Sequence, residues 1–581
     1  MNSMETTDNL WWRTPVINRR AWQWEDAHHA LHDGEWWQNA VIYQIVPWSF
    51  LDTTGNGKGD LNGIIQKLDY ISSLGVDAIW LTPIYESPMD DLGYDIVDMA
   101  KVGSAFGSHD EFKRLLALAH AVGIKVILDQ VWNHTSSQHP WFQESRQSRD
   151  NPRADWYVWA DAKADGSPPN NWLSSFTGES AWQWEPKRQQ YYLFNFLDSQ
   201  PDLNWHNPEV VEAVLQGAKF WLDAGVDGLR IDAVNYFLHD PKLRDNPVRA
   251  EDAPLPDGVP ADNPLARQVL KYSFNRPETL DKLQSIRRLV DQYPGVVILG
   301  EVTLCEDSIV QASEYVAGSH RLDWAYHSGL LFDEPMTAER MQRVLQRVVD
   351  NFDQGGTCWI VGNHDYGRLR SQWCSKDYQT CPPEPFYHLM AAVLLCLPGA
   401  FCLYQGDELG LPVAQIPDDI PTDEIKDPFG IALYPTVVGR DGSRTPMPWQ
   451  ADQPNAGFTQ GHPWLPVPKS HSVRAVDRQH QNPDSLLNSW RKLLHWRQRQ
   501  PALEAGKLTV LKSKTGILAF ERHYAEQRLL CVFNITDNHA IYDLGERAIE
   551  RAFNVIPPAT TVEGGILKLA PYGSFFAQLK R

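Results

Sequence analysis

The chain has 581 residues, 43% of them hydrophobic and 22% charged, ordinary for a soluble globular protein of one extended domain or several. A net charge of −20 argues against nucleic acid and against an anionic membrane surface as partners, since both repel an acidic protein. The seven Cys form no C-x-x-C pair, no apolar run is long enough to span a membrane, and the 24 Trp permit stacking on sugar rings without requiring it.

Residues 1–34 read as a polar N-terminal extension with no signal-like apolar core; the Arg19–Arg20 pair is followed by "AWQWEDAHH", not by an apolar segment. Together with a dispersed, odd set of Cys that suggests reduced thiols, this predicts a cytoplasmic protein. Short apolar strands follow at "AVIYQIVP" (Ala40–Pro47) and "AIWLTP" (Ala78–Pro83). In "SHDEFKRLLALAHAVGIKVILDQ" Ser108 and Glu111 form a capping box, Leu115, Leu116 and Ala119 recur at helical spacing, and Gly123 ends the helix. "IKVIL" is then a buried strand with Asp129 at its C-terminal end.

The same unit recurs at "NPEVVEAVLQGAKFWLDAGVDGLRID". Asn207 caps, Pro208 takes the first helical position, Gly225 ends the helix, and a strand delivers Asp232. Strand residues alternate faces, so Arg230 and Asp232 share one face. By itself that pair is either a structural ion pair or a carboxylate held ionised for chemistry. Further strands end at Glu301 ("VVILGE"), at Asp365 ("TCWIVGNHD") and near Asp407 ("AFCLYQGDE"). The number of units favours an α/β fold of the closed (β/α)8 barrel type over a doubly wound open sheet.

About a hundred residues separate the strand ending at Asp129 from the one beginning near Gly228, far more than a connection needs. The organisation predicted is a first part of the barrel over 35–134, an inserted subdomain after strand 3 over 135–207, the rest of the barrel over 208–505, and a C-terminal antiparallel β domain over 506–581.

In such a barrel the strands' C-terminal ends form one mouth. Asp129, Asp232, Glu301 and Asp365 all fall there, and several converging carboxylates repel one another unless they serve a purpose. Their convergence points to acid/base or covalent catalysis. His134 and His364 join them; they match no H-E-x-x-H zinc motif and suit hydroxyl binding better.

"DQVWNH", "GLRIDAVNY", "LGEV" and "VGNHD", in this order, resemble the conserved regions of the α-amylase family of retaining glycoside hydrolases. "QPDLNW" (Gln200–Trp205) and "GRDGSRTPMPW" resemble its α-glucosidase and oligo-1,6-glucosidase branch. The resemblance implies Asp232 as nucleophile, Arg230 keeping it ionised, Glu301 as general acid and base, and Asp365 stabilising the transition state. It implies hydroxyl binding by His134 and His364, and Asp95 of "LGYDIVDM" on the terminal glucose, paired with Arg440 in preference to Arg444. That pair closes the pocket and makes the enzyme exo-acting. Tyr94 and Phe176 are expected around the same ring.

Ala233, after the nucleophile, implies α-1,4 rather than α-1,6 linkages. The resemblance therefore implies a retaining α-glucosidase acting on small α-glucosides. A transglucosylase or sucrose isomerase is the alternative on the same scaffold, while a non-catalytic relative is disfavoured by the full carboxylate set. "DTTGNGKGD" resembles the family's Ca²⁺ or Mg²⁺ loop, with Asp52, Thr54, Asn56, the Lys58 carbonyl and Asp60 as oxygen ligands. Thr54 and Asn56 stand where the family has Asn and Asp, so one carboxylate is lost.

Overall fold

The computed structural model describes residues 36–580 apart from 258, 260, 262, 332–334, 353–355, 376–379, 416–424, 434–438 and 558–559. The N-terminal extension read at 1–34 lies outside the described residues.

Eight parallel strands close into a barrel: β1 Val41–Ile45, β2 Ala78–Leu81, β3 Lys125–Gln130, β4 Gly228–Ile231, β5 Val297–Glu301, β6 Trp324–His327, β7 Thr357–Trp359 and β8 Ala400–Tyr404. Each pairs with its neighbours in sequence, and β8 closes on β1. Seven of these strands are legible in the sequence. The sixth is not, because "WAYH" is only four residues long and lacks the apolar run.

Period-two alternation sorts every strand into two faces. Leu229 and Ile231 of β4 pack outward against the helices, with Val126, Leu128 and Ile298. Inward, the lower layers are apolar: Ile42, Ala78, Ile127, Val297, Trp324, Cys358 and Ala400, under which Trp36 and Trp37 pack edge-on to Trp324. One layer higher the same inward face carries Trp80, Asp129, Arg230, Glu301 and Tyr326. The polar cluster thus rests on a dry, packed floor.

The helices start and stop as their sequences dictate. Ser108 accepts from the Glu111 amide at the head of His109–Ala121; Asn207 caps Pro208–Ala224, which ends at Gly225 with φ +98°. Between β3 and β4 a three-stranded sheet (Trp159–Ala160, Gln190–Leu193, Trp182–Glu185) and a short helix (Pro140–Ser145) form the excursion that the long connection predicts. After Ala505 the chain turns to antiparallel sheets of five and three strands.

One expectation is corrected. Cys374 and Cys381 form a disulfide with Cα atoms 4.1 Å apart, so not all thiols are reduced. A spacing of seven lets a turn bring two Cβ atoms together, which a search for C-x-x-C pairs does not detect. Cys305, Cys358, Cys396, Cys402 and Cys531 are free and buried. Among the described residues no helix is long and apolar enough to cross a membrane.

Candidate active site

Arg230 is fully buried at the end of β4, and its guanidinium collects three carboxyl groups from three strands. Nη1 donates to Asp129 Oδ1 at 2.7 Å and to Asp232 Oδ1 at 2.7 Å; Nη2 donates to Glu301 and to the Tyr326 hydroxyl. Strand register makes this possible, since Arg230 lies beside Asp129 on β3 and Leu299 on β5, two residues before Glu301. Tyr94 (2.9 Å) and Trp80 (3.1 Å) donate to the other oxygen of Asp129. Asp129 is therefore a buried counter-charge saturated by donors, while Asp232 and Glu301 retain some exposure toward the mouth.

Burial raises both of these carboxyls, against the pull of Arg230. Glu301 is pushed up to about 8, with Asp232 and Asp365 adding repulsion. Asp232 also rises, but a hydrogen bond from Glu301 favours its charged form while favouring the protonated form of Glu301. The proton of the pair belongs to Glu301 and the charge to Asp232. That is the division an acid and a nucleophile need.

Asp365 follows β7 on a short loop. Although burial works against its charge, the His364 ring and the guanidinium groups of Arg440 and Arg444 hold it well below the usual carboxylate range. Arg440 Nη1 stands 2.7 Å and Arg444 Nη2 3.0 Å from Asp365 Oδ1. His364 Nδ1 takes a hydrogen bond from the Gln44 amide at 2.8 Å, leaving Nε2 to face Asp365 Oδ2 at 3.0 Å. Its ring stacks on Tyr94 with centroids 5.3 Å apart, and burial keeps it neutral.

The pairing of Asp95 with Arg440 is corrected. The Asp95 carboxylate is enclosed by its own loop, accepting from Ser87 Oγ at 2.7 Å and from the amides of Asp90 and Asp91. Arg440 instead reaches Asp91, four residues earlier, with Nη2 at 2.9 Å. The segment turns sharply at Leu92 (φ +51°) and Gly93 (φ +95°), so Asp91 and Asp95 point in different directions. Motif position gave no hint of which acid faces the cleft.

His134 donates to the Tyr94 carbonyl at 3.1 Å and lies 5.1 Å from the Phe196 ring. Phe176 packs edge-on against Phe196 and Phe429, with the Arg440 guanidinium 4.7 Å above its ring. Ala233 is left-handed at φ +45°, and its amide lies 3.3 Å from Glu301. Sequence reasoning missed Asp91 and Tyr326 as members of this constellation, and also Asp427, which Arg440 Nη2 meets at 2.7 Å.

The loop Asp52–Asp60 lies elsewhere. Asp52 accepts from the amides of Thr54, Gly55 and Gly57 and from Thr459 Oγ1, while Asp60 caps the helix beginning at Leu61. Asn56 accepts from the Lys58 amide at 2.8 Å, and Lys58 Nζ lies 4.0 Å over the Trp48 ring. The oxygen donors named for an ion are thus partly committed to hydrogen bonds within the loop.

Residues 44–506 match the model of the α-amylase catalytic domain. The chain belongs to the α-amylase family. It is 42% identical to a probable α-glucosidase of Rhizobium meliloti, covering 94% of this chain and 98% of that one. An oligo-1,6-glucosidase of Heyndrickxia coagulans is 36% identical over 88% of this chain and 94% of its own. Among solved structures, the α-glucosyl transfer enzyme XgtA superposes with a TM-score of 0.89 at 46% identity, over 94% of this chain and 99% of that one. An isomaltulose synthase mutant from Erwinia rhapontici, in complex with sucrose, superposes at 0.83 with 31% identity, over 94% and 99%.

Proposed function

We propose that this family member is a retaining, exo-acting α-glucosidase that removes the terminal non-reducing glucose of short α-glucosides. The observation that carries the reading is one guanidinium, Arg230, shared by Asp232 and Glu301 at the same cleft. Asp232, charged, attacks the anomeric carbon as the Glu301 carboxyl gives its proton to the departing oxygen. Glu301, now a carboxylate, takes a proton from water, and the hydroxide so formed displaces Asp232 from the same carbon, restoring both groups. Two inversions give net retention. Asp365, ionised across the working pH range, holds hydroxyls of the ring and favours the positive charge that develops on it.

Asp91, rather than Asp95, joins Arg440 as the end wall of the glucose pocket, with Tyr94, His134, Phe176 and His364 around the ring. Ala233 supports a preference for α-1,4 linkages. The test is hydrolysis of maltose, isomaltose and sucrose by the wild type, Asp232→Asn and Glu301→Gln: glucose release from maltose, lost in both variants, supports the reading, and full activity of Asp232→Asn contradicts it.

A second reading, glucosyl transfer to a sugar or sucrose isomerisation, is favoured by the likeness to XgtA and to the isomaltulose synthase. Both use the same covalent intermediate and differ in what attacks it. Product analysis with sucrose separates them.

A structural Ca²⁺ or Mg²⁺ in the loop Asp52–Asp60 is also proposed, held by Asp52, Thr54, Asn56, the Lys58 carbonyl and Asp60. It rests on the spacing of oxygen donors and asks some of the loop's hydrogen bonds to be exchanged for ion contacts. A cytoplasmic setting is also proposed; it is supported by the free, buried Cys305, Cys358, Cys396, Cys402 and Cys531, while Cys374 and Cys381 are paired.

A further inference from the structure

Arg440 has a third carboxylate that the reaction does not use. Asp427, its side chain wholly buried, accepts from Arg440 Nη2 at 2.7 Å, from Nε at 3.1 Å and from the Arg440 amide at 2.5 Å. Arg444 Nη1 lies 3.8 Å from the same group. These guanidinium contacts hold Asp427 ionised, down at about 2, against the effect of burial.

The geometry divides the guanidinium into two ends. Asp427 takes the Nε edge from behind in a two-pronged grip, which fixes the plane of the group. Nη1 is left for Asp365, and Nη2 also reaches Asp91. The two pocket carboxylates have sugar hydroxyls to serve, whereas Asp427 is closed off and has no such competing demand.

Packing around the grip agrees with this. Gly439, just before Arg440, has φ +75°, and a Cβ there would stand 2.6 Å from Asp427 Oδ2 and 2.7 Å from Gly430 Cα. Gly439 and Gly430 are thus pressed together beside Asp427. Two residues on, Phe429 packs against Phe176, the ring beneath Arg440.

We propose that Asp427 is a positioning residue: it presets Arg440 between Asp91 and Asp365, and through Phe429 it ties the rim segment beginning at Pro428 to the back wall of the glucose pocket. The proposal rests on the reading of the site as an α-glucoside pocket.

A double-mutant cycle on maltose hydrolysis tests it, using Asp427→Asn, Arg440→Ala and the pair, with melting temperatures alongside. Asp427→Asn is expected to raise KM roughly tenfold and to leave kcat within about threefold, because it loosens a binding wall and spares Asp232 and Glu301. In the Arg440→Ala background the same change is expected to add less than about twofold. Independent, multiplicative effects of the two substitutions overturn the proposal, since a purely structural Asp427 acts whether or not Arg440 is present.

Should Asp427→Asn melt early, Asp427→Glu, which keeps the charge but moves it by one methylene, is run through the same cycle; coupling to Arg440→Ala supports the proposal and additivity overturns it. Wild-type enzyme that releases no glucose from maltose, isomaltose or sucrose overturns the functional reading and this inference with it. Glucose release with an additive cycle overturns the inference only.

Discussion

Arg230 and Asp232 are two residues apart on one strand face, and their charged groups meet at 2.7 Å inside the barrel mouth. The same guanidinium also holds Asp129 and Glu301, so one cation balances three buried carboxyls. Burial raises Glu301, the negative charges of Asp232 and Asp365 add to the rise, and together they outweigh Arg230 and keep the proton in place.

Removing the cation is therefore expected to cost stability as well as activity. Arg230→Met leaves Asp129, Asp232 and Glu301 facing one another without compensation. We expect a loss of about 3–5 kcal/mol, the usual result of breaking a buried charge cluster from one side. Denaturant unfolding at neutral pH measures it, and the loss shrinks at acid pH as the carboxyls take up protons.

The acid and the nucleophile are separated by their leaving-group dependence. Asp232→Asn is expected to lower kcat/KM by at least about a thousandfold on every substrate. Glu301→Gln is expected to lower it by about 10²–10⁴-fold on maltose. It should retain far more activity on a 4-nitrophenyl α-glucoside, whose leaving oxygen needs little protonation. Steady-state kinetics on both substrates checks this.

The pH profile of kcat/KM follows from the same two groups. Glu301 must be protonated, so activity falls as pH rises through its value of about 8. Asp232 must be charged, so activity falls as pH drops through its raised value on the acid side. The profile is bell-shaped and reports the pair rather than either residue by itself. On the 4-nitrophenyl substrate, Glu301→Gln is expected to lose the alkaline limb.

Much of this arrangement is legible in the sequence, and the failures have physical causes. Motifs that place a side chain at a strand end, such as Asp232 and Glu301, are fixed by the two-residue period and the barrel's common direction. Asp91 lies on a turn, where the left-handed Leu92 redirects the chain, and Asp427 sits just before the helix Pro428–Leu433, so strand periodicity applies to neither. β6 was missed because Trp324–His327 is a buried aromatic strand with no alternation to read.

The exchange of Asp95 for Asp91 gives a prediction of its own. Asp91→Asn removes a charged partner of Arg440 at the pocket wall and is expected to lower kcat/KM about 10–100-fold with little change in melting temperature. Asp95→Asn removes the centre of a loop hydrogen-bond set, and its main effect is a lower melting temperature. Parallel kinetics and thermal melts on the two variants distinguish them.

For the loop Asp52–Asp60, an ion bound only by the folded state raises stability by about 2.7 kcal/mol at a hundred times its dissociation constant. Melting temperature is expected to rise with added Ca²⁺ or Mg²⁺ and to fall with a chelator. Asp52→Asn should abolish the response.

Trapping the glucosyl-enzyme is the most direct test. The wild type is treated with a fluorinated α-glucosyl fluoride, whose glucosyl-enzyme hydrolyses slowly, and then digested and mapped by mass spectrometry. The account predicts one glucosyl group, attached through an ester to Asp232. A label on Glu301 or Asp365, or steady turnover with inverted product and no covalent species, contradicts it.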